Sequence, residues 1–183
     1  MRVGRQLLFA PPDFTFDRLD LADAPATMAA FVQRIQGFYL RPARDLASLG
    51  HAFASCVLCC SAIDAVARYA LPDEHDLERR FATWLKLHVR GFAAPQVAAR
   101  FYQDFRHGLV PEGRIKRGGQ FSLEANQILT SEDGFLIVHP ALLIPLLFDA
   151  LEIFRAAVLE RDLYHRFATR LRREFRGELA AAR

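Results

Sequence analysis

The sequence has few cysteines, three in 183 residues, and all of them lie in the apolar stretch 54–63. An odd number in so tight a cluster excludes a disulfide-dense secreted scaffold. Cys56 and Cys59 have the spacing of a zinc motif, but no second pair supplies the two further ligands of a tetrahedral site. We therefore expect the thiols to pack in the core, with no metal and no other cofactor. Free thiols favour a cytoplasmic location.

Long apolar runs and common catalytic motifs are also missing. No stretch of about 18 uncharged apolar residues occurs, which argues against a membrane-spanning helix and a membrane partner. The apolar run at 7–10 is cut by two prolines, so it is too short for a signal peptide. The sequence contains no Gly-x-Ser-x-Gly, His-Glu-x-x-His or Walker-type Gly-Lys-Ser/Thr order, which argues against the hydrolases, zinc proteases and nucleotidases that carry them.

The composition that remains is that of a globular protein. Apolar residues make up 52% of the chain and charged residues 25%, with a net charge of +3. A chain of about 150 residues buries about 70% of its unfolded surface, so one domain with a sizeable core is expected. Seven arginines and three carboxylates lie from residue 161 to the C-terminus. We expect a solvated helix face there, with a phosphate-binding surface as the alternative.

The apolar periodicity predicts helices along most of the chain. Apolar residues recur at three- and four-residue steps over 46–70, which predicts one continuous buried helix ending at Pro72. Asp73 is placed to cap the following helix, which has an apolar face from Leu77 to His88 and is stopped by Gly91. Three further helices are predicted over 95–110, 139–159 and 163–175.

Prolines predict an end and a kink in these helices, and arginines predict which face of the last helix meets solvent. Pro111 ends the helix that begins at residue 95, because proline lacks a backbone donor. Pro145 predicts a kink in the next helix. In the last helix, Arg166, Arg170 and Arg173 are expected to face solvent.

Two segments are not predicted to be helical. Residues 127–138 read as a short β-hairpin with a glycine in its turn. Residues 1–26 contain three prolines and are expected to form an irregular arm packed on the core. The sequence thus predicts an all-α helical bundle, residues 27–183, with a small β-hairpin insertion.

The helix from residue 95 carries the clearest cluster of polar side chains. Arg100, Asp104 and His107 recur at i, i+4 and i+7, so they are expected to share one face. Asp104 is placed to pair with both of the others. Arg106 and His107 would occupy the final turn, where cations are favoured by the helix dipole. A surface ion-pair ladder is the alternative interpretation.

A basic, glycine-rich loop follows this helix. Arg114, Lys116 and Arg117 alternate with glycines, so backbone amides and three cations can face an anion together. RNA phosphates would suit this loop, with Tyr102 or Phe121 as a platform on which a base stacks. The alternative is a mobile solvated loop.

The run 101–121 resembles the signature segment of HEPN-type helical domains. Arg106 matches the family arginine, and His107 matches the polar residue after it. The downstream pattern is matched by Glu112, Ile115, Lys116, Gly118 and Gly119. The predicted order of helices and hairpin extends the resemblance over most of residues 27–180. The resemblance implies a helical bundle that dimerises and, in active members, a metal-independent ribonuclease.

The sequence departs from that family at Pro111, where the family has its histidine. In active members, the resemblance implies that this histidine exchanges protons with the ribose 2′-hydroxyl and the leaving oxygen, while the arginine stabilises the phosphorane. Proline has no titratable group. His107 could replace the histidine only by reaching the same phosphate from a position about 40° around and about 6 Å along the helix. Arg100 with His107 restores the spacing as an alternative pair.

We therefore predict a HEPN-like, RNA-associated homodimer, either an endoribonuclease or a degenerate relative acting in toxin–antitoxin or phage defence. The predicted catalytic residues are Arg106, His107 and Asp104. The predicted phosphate-binding residues are Arg100, Tyr102, Arg114, Lys116 and Arg117. A cognate antitoxin or nucleotidyltransferase is a candidate partner. The alternative is a catalytically silent dimeric interaction module, which Pro111 favours. An Arg106 buried in an ion pair far from any groove would leave only a packing scaffold.

Overall fold

The long helix α3 (Ala52–Ala70) is the central element of the structure, a computed structural model that describes residues 2–3, 6–160 and 162–182. It packs against α2 (Arg41–Ser48), α4 (Leu77–His88) and α7 (Pro140–Glu160). Its three cysteines are free and fully buried, as predicted. Within the described segments, α3 is also the one helix long and apolar enough to cross a membrane, a test that a core helix passes equally well.

Further helices surround α3 and confirm the mostly helical bundle. They are α1 (Ala24–Ile35), α5 (Pro95–Phe101), α6 (His107–Glu112), α8 (Tyr164–Glu174) and α9 (Arg176–Ala181). Two π-helical turns, Gln36–Leu40 and Tyr102–Arg106, join α1 to α2 and α5 to α6.

The predicted continuous helix over 46–70 is wrong, because the chain breaks between α2 and α3. Gly50 adopts a φ of +83°, a left-handed conformation that ends a helix and that glycine adopts without steric cost. The predicted cap of α4 is also wrong. Asp76 caps this helix, since its Oδ1 accepts a hydrogen bond from the Arg79 backbone amide at 2.7 Å. Asp73 pairs instead with Arg166.

The N-terminal arm is more regular than predicted. Strands β1 (Arg2–Val3), β2 (Gln6–Ala10) and β3 (Phe14–Thr15) form an antiparallel sheet in that order. A 3₁₀ turn, Phe16–Arg18, leads towards α1. Phe9 in β2 is fully buried, so the arm completes the core as expected.

The predicted β-hairpin is present. Strands β5 (Leu129–Glu132) and β6 (Phe135–Val138) pair antiparallel. The two residues between them, Asp133 and Gly134, both have positive φ angles, as a type I′ turn requires. The periodicity did not predict the two-residue strand β4 (Gln120–Phe121), which pairs parallel with β6.

The helix that carries the predicted site is longer than expected. It continues through Pro111 and ends at Glu112, followed by Gly113 at a φ of +66°. Pro111 is the penultimate residue of α6, so its missing donor removes at most one hydrogen bond of the helix. Arg106 and His107 therefore do not lie in the final turn, and the predicted stabilisation by the helix C-terminus does not apply to them.

Candidate functional site

Arg106 forms an ion pair with Asp64, which lies 42 residues earlier in α3. Its Nε and Nη2 donate to Asp64 Oδ2 at 2.8 and 2.5 Å. The two side chains are 18% and 22% exposed, so the pair is screened from water but not sealed. The guanidinium lies over the Tyr102 ring, 5.5 Å from its centroid. Asp64 also lines a cavity of about 300 Å³ between α1 and α3.

The π-helical turn explains why the predicted polar face is only half formed. Arg100 and Asp104 pair at 3.0 Å as predicted. His107 does not join them. It is exposed, and its ring lies 6.2 Å from the Tyr102 ring. A π-turn accommodates an extra residue, so side chains after Asp104 are rotated away from the i+3 direction of an α-helix.

The carboxylate of the Arg100–Asp104 pair lies in the interior, whereas Arg100 is 34% exposed. The Asp104 side chain is 0% exposed, and its Oδ1 has no hydrogen-bond partner among the described residues. Arg100 also donates to the backbone oxygen of Gly134, which ties α5 to the β5–β6 turn. Asp104 is thus placed to hold the helix and cannot touch a substrate. Arg100 is occupied in the same way.

Tyr102 is buried and does not offer a free stacking surface, contrary to the prediction. Its ring packs edge-on against Phe81, with 5.4 Å between centroids, and against the guanidinium of Arg106. Burial raises the pKa of the Tyr102 phenol. Phe121 is half-buried, with its ring centroid 4.8 Å from that of Phe105. Neither ring is presented to a base.

The cations of the basic loop are engaged rather than free. Arg114 pairs with Glu112 at 2.8 Å, and Lys116 pairs with the same carboxylate. These two cations hold the pKa of Glu112 below its ordinary value. Arg117 donates to Gln103 Oε1 at 2.5 Å. The loop keeps a net positive charge, because one carboxylate faces three cations.

Close backbone contacts anchor this loop, so the glycines serve packing as well as conformation. A Cβ on Gly108 would lie 2.3 Å from the Arg114 backbone oxygen. Gly118 has a φ of +74°, and a Cβ there would meet the ring of Phe135. The Lys116 amide donates to the Asp104 backbone oxygen at 2.7 Å.

A second group of arginines, Arg68, Arg80 and Arg170, was not predicted to lie together. Arg68 and Arg170 both bind Glu174, at 3.1 and 2.8 Å. Arg170 is only 10% exposed, so the expectation that it faces solvent is wrong. Arg80 is buried and forms no ion pair with a described carboxylate. The one available signal was the pair Asp64 and Arg68, charges at i and i+4 in an otherwise apolar helix.

The remaining arginines predicted on the last helix differ from Arg170. Arg166 and Arg173 are exposed as expected. Arg161 and Arg183 lie outside the described residues. The basic C-terminal segment is thus partly folded into the interior.

The described part of the chain contains no group of three His, Cys, Asp or Glu side chains that could hold a metal ion. What the site does offer is arginines arranged around carboxylates, with one exposed histidine beside them. Comparison with known proteins adds no relative: no protein-family model, no curated protein and no solved structure matches this chain.

Proposed function

We propose that this chain is a HEPN-like RNA-associated protein in which Arg106 contacts a phosphate and His107 exchanges protons. One observation carries the proposal. Asp64 holds Arg106 through Nε and Nη2, and the next residue, His107, is exposed, with both side chains lying near the Tyr102 ring. The Arg106 Nη1 makes no hydrogen bond to any described residue, so one edge of the guanidinium remains for a ligand.

The surroundings of Arg106 favour an anion. Asp64 fixes the guanidinium, and Tyr102 supports it from one face. Such fixed donors stabilise developing charge better than mobile ones, because they need no reorganisation during the reaction. The basic loop adds positive charge just beyond the end of the same helix. RNA association through phosphates follows from this charge without base-specific contacts.

The proposed cleavage requires no metal. A base removes the proton from a ribose 2′-hydroxyl, and the 2′-oxygen bonds to the adjacent phosphorus. The bond from phosphorus to the 5′-oxygen breaks, and this oxygen receives a proton. The products carry a 2′,3′-cyclic phosphate and a 5′-hydroxyl. His107 is proposed for the proton transfers and Arg106 for stabilising the phosphorane charge. Asp104 and Tyr102 are no longer included, because both are buried.

A catalytically silent dimeric interaction module remains the second candidate. Pro111 favours it, because the family histidine is replaced by a residue that cannot transfer protons. In this case the homodimer would bind a protein such as a cognate antitoxin or a nucleotidyltransferase. Its role in toxin–antitoxin or phage defence would then be to sequester that partner protein.

Labelled single-stranded RNA incubated with the purified protein in EDTA separates the two candidates. We expect cleavage by the wild type. His107→Ala should lower the rate by about 100-fold or more, the usual contribution of a general acid or base, and Arg106→Ala should abolish cleavage. Arg155→Ala is the matched control, because Arg155 lies on α7 in its own ion pair with Glu152.

Equal inertness of wild type and variants would contradict the nuclease. The affinity for RNA then shows whether the protein binds RNA phosphates without cleaving the chain or does not bind them. A protein that neutralises phosphates binds more weakly as salt rises. Binding without such a slope, or no binding, would favour the interaction module.

A further inference from the structure

The cavity of about 300 Å³ between α1, α3 and the end of α8 is lined by an unusual set of polar side chains. Those that the argument uses are Arg34, Tyr39, Asp64, Arg68, Tyr69 and Glu174. The volume is at the lower limit of small-molecule pockets. Arg106 lies outside this lining and reaches it only through Asp64.

The cavity lining itself holds two arginines and two carboxylates, and the excess of positive charge comes from arginines behind it. Five arginines stand in or directly behind its wall, namely Arg34, Arg68, Arg80, Arg106 and Arg170. The carboxylates that face them are Asp64 on α3, Glu174 on α8 and Glu178 on α9. The charges of Arg68, Arg170 and Arg106 all lower the pKa of Arg80, after the larger effect of its burial. An anion placed among them would relieve this repulsion.

Arg34 is the best-placed of these arginines to bind a ligand. Its guanidinium carbon lies 4.8 to 5.3 Å from the ring centroids of Phe9, Phe38 and Phe175. Its Nη1 donates to the Phe9 backbone oxygen, and no described carboxylate forms an ion pair with it. Burial lowers its pKa. A guanidinium fixed by aromatic rings, with no described carboxylate at ion-pair distance and Glu178 acting only from further away, is a preformed anion site.

Two phenol groups add neutral donors. Tyr39 and Tyr69 line the cavity, and neither hydroxyl makes a hydrogen bond to a described residue. Burial raises the pKa of Tyr69, so its hydroxyl keeps its proton and can donate. Tyr69 is itself buried, with its ring held 4.8 Å from that of Phe31. Its position is therefore fixed by the core.

We propose that this cavity binds a phosphate monoester, with Arg34 and Arg68 as the charged contacts and Tyr39 and Tyr69 as hydroxyl donors. Arginine forks suit phosphate because two donors can meet two oxygens of one group. The small volume accommodates the phosphate and a few attached atoms, so the group is carried either by a small metabolite or by the 5′ end of an RNA. The site goes beyond the proposed function, because it uses neither Arg106 nor His107.

Isothermal titration of the whole protein with three probes tests the proposal: inorganic phosphate, glucose 6-phosphate and a 5′-phosphorylated RNA dinucleotide. A 5′-hydroxyl dinucleotide is the control. Tighter binding of the sugar phosphate assigns the site to metabolites, and tighter binding of the phosphorylated dinucleotide assigns it to RNA ends. Failure of all three phosphate probes to bind would overturn the proposal. So would binding of both dinucleotides with the same affinity, because the 5′-phosphate would then contribute nothing.

Variants tie the binding to the cavity. Arg34→Gln and Arg68→Gln should each weaken the bound probe by roughly 10- to 100-fold, the effect of losing a charged hydrogen bond. Tyr69→Phe keeps the ring and removes only the hydroxyl, so it is the variant that preserves the fold, and a several-fold weakening is expected. Arg155→Gln should bind like the wild type. Unchanged affinity in Tyr69→Phe and Arg68→Gln together would contradict the site. Neither variant touches the proposed nuclease residues, so the two proposals fail separately.

Discussion

Two arginines on one helix form ion pairs of different kinds. Arg100 pairs with Asp104 one turn away, and Arg106 pairs with Asp64 in another helix. The Asp104 carboxylate is sealed in the core, whereas Asp64 faces a cavity. The Arg100–Asp104 pair is called the sealed pair because of its carboxylate, since its arginine is 34% exposed and Arg106 only 18%. The Arg106–Asp64 pair borders a cavity through Asp64, so this carboxylate is partly open to water whereas the Asp104 carboxylate is not.

The largest expected loss of stability comes from breaking the Arg100–Asp104 pair. Arg100→Met leaves the Asp104 carboxylate buried without its counter-ion, so we expect the free energy of unfolding to fall by about 3–5 kcal/mol. Urea denaturation measures the change. The double variant Arg100→Met/Asp104→Leu removes both charges and should recover most of the loss. A double variant as unstable as the single one would contradict a dominant role for the buried charge.

Substitution of Gly108 is expected to give the second-largest loss of stability. It disturbs the loop beside the sealed pair and leaves Asp64 unchanged. Gly108→Ala places a Cβ 2.3 Å from the Arg114 backbone oxygen, so we expect a loss of about 1–3 kcal/mol from overpacking. Thermal unfolding checks it. Gly177→Ala in α9 is the matched control, since nothing lies within 4 Å of its Cβ. It should stabilise by up to about 1 kcal/mol through helix propensity. If Gly108→Ala stabilised the protein instead, the loop backbone would be able to move away from the new methyl group without cost, which would contradict the prediction.

The Arg106–Asp64 pair should matter less for stability than the sealed pair. In Arg106→Met, water can reach the partly exposed Asp64, so we expect a loss of about 1–2 kcal/mol. Denaturation of Arg106→Met and Arg100→Met under the same conditions measures the difference. If Arg106→Met proved the more damaging substitution, Arg106 would be structural and the distinction between the two pairs would fail.

The smallest effect concerns pH. Arg114 and Lys116 lower the pKa of Glu112 below its ordinary value of 4.5, so its stabilisation is present above pH 4.5. It is lost as pH falls through the lower folded pKa. Glu112→Gln should therefore melt slightly below the wild type at pH 7, and the difference should shrink as the pH is lowered below 4.5. A difference that stays constant between these pH values would exclude this carboxylate as the source.

The Arg100–Asp104 pair could be predicted from the sequence, and the Arg106–Asp64 pair could not. The pair Arg100 and Asp104 follows from i, i+4 spacing. Asp64 reaches Arg106 only because α3 packs against the helix and a π-turn resets the register. The periodicity of a single segment does not show which residue of another helix will face it.

The fold shows the same division between local and tertiary information. The β5–β6 hairpin and the buried thiols were predicted, since turn chemistry and apolar spacing are local. The break at Gly50 was missed, because the apolar spacing continues across it. The N-terminal strands were missed because their pairing is short and depends on packing. The HEPN resemblance and the RNA association stay predictions.

The aromatic enclosure of Arg34 joins the first and last parts of the described chain. Phe9 comes from β2 and Phe175 from the turn after α8, and their rings meet edge-on at 5.7 Å. Contacts between segments so distant in sequence close the largest loops and tend to form late in folding. A ligand bound there would hold the two segments together, and the melting temperature would rise with the logarithm of the ligand concentration once this exceeds the dissociation constant.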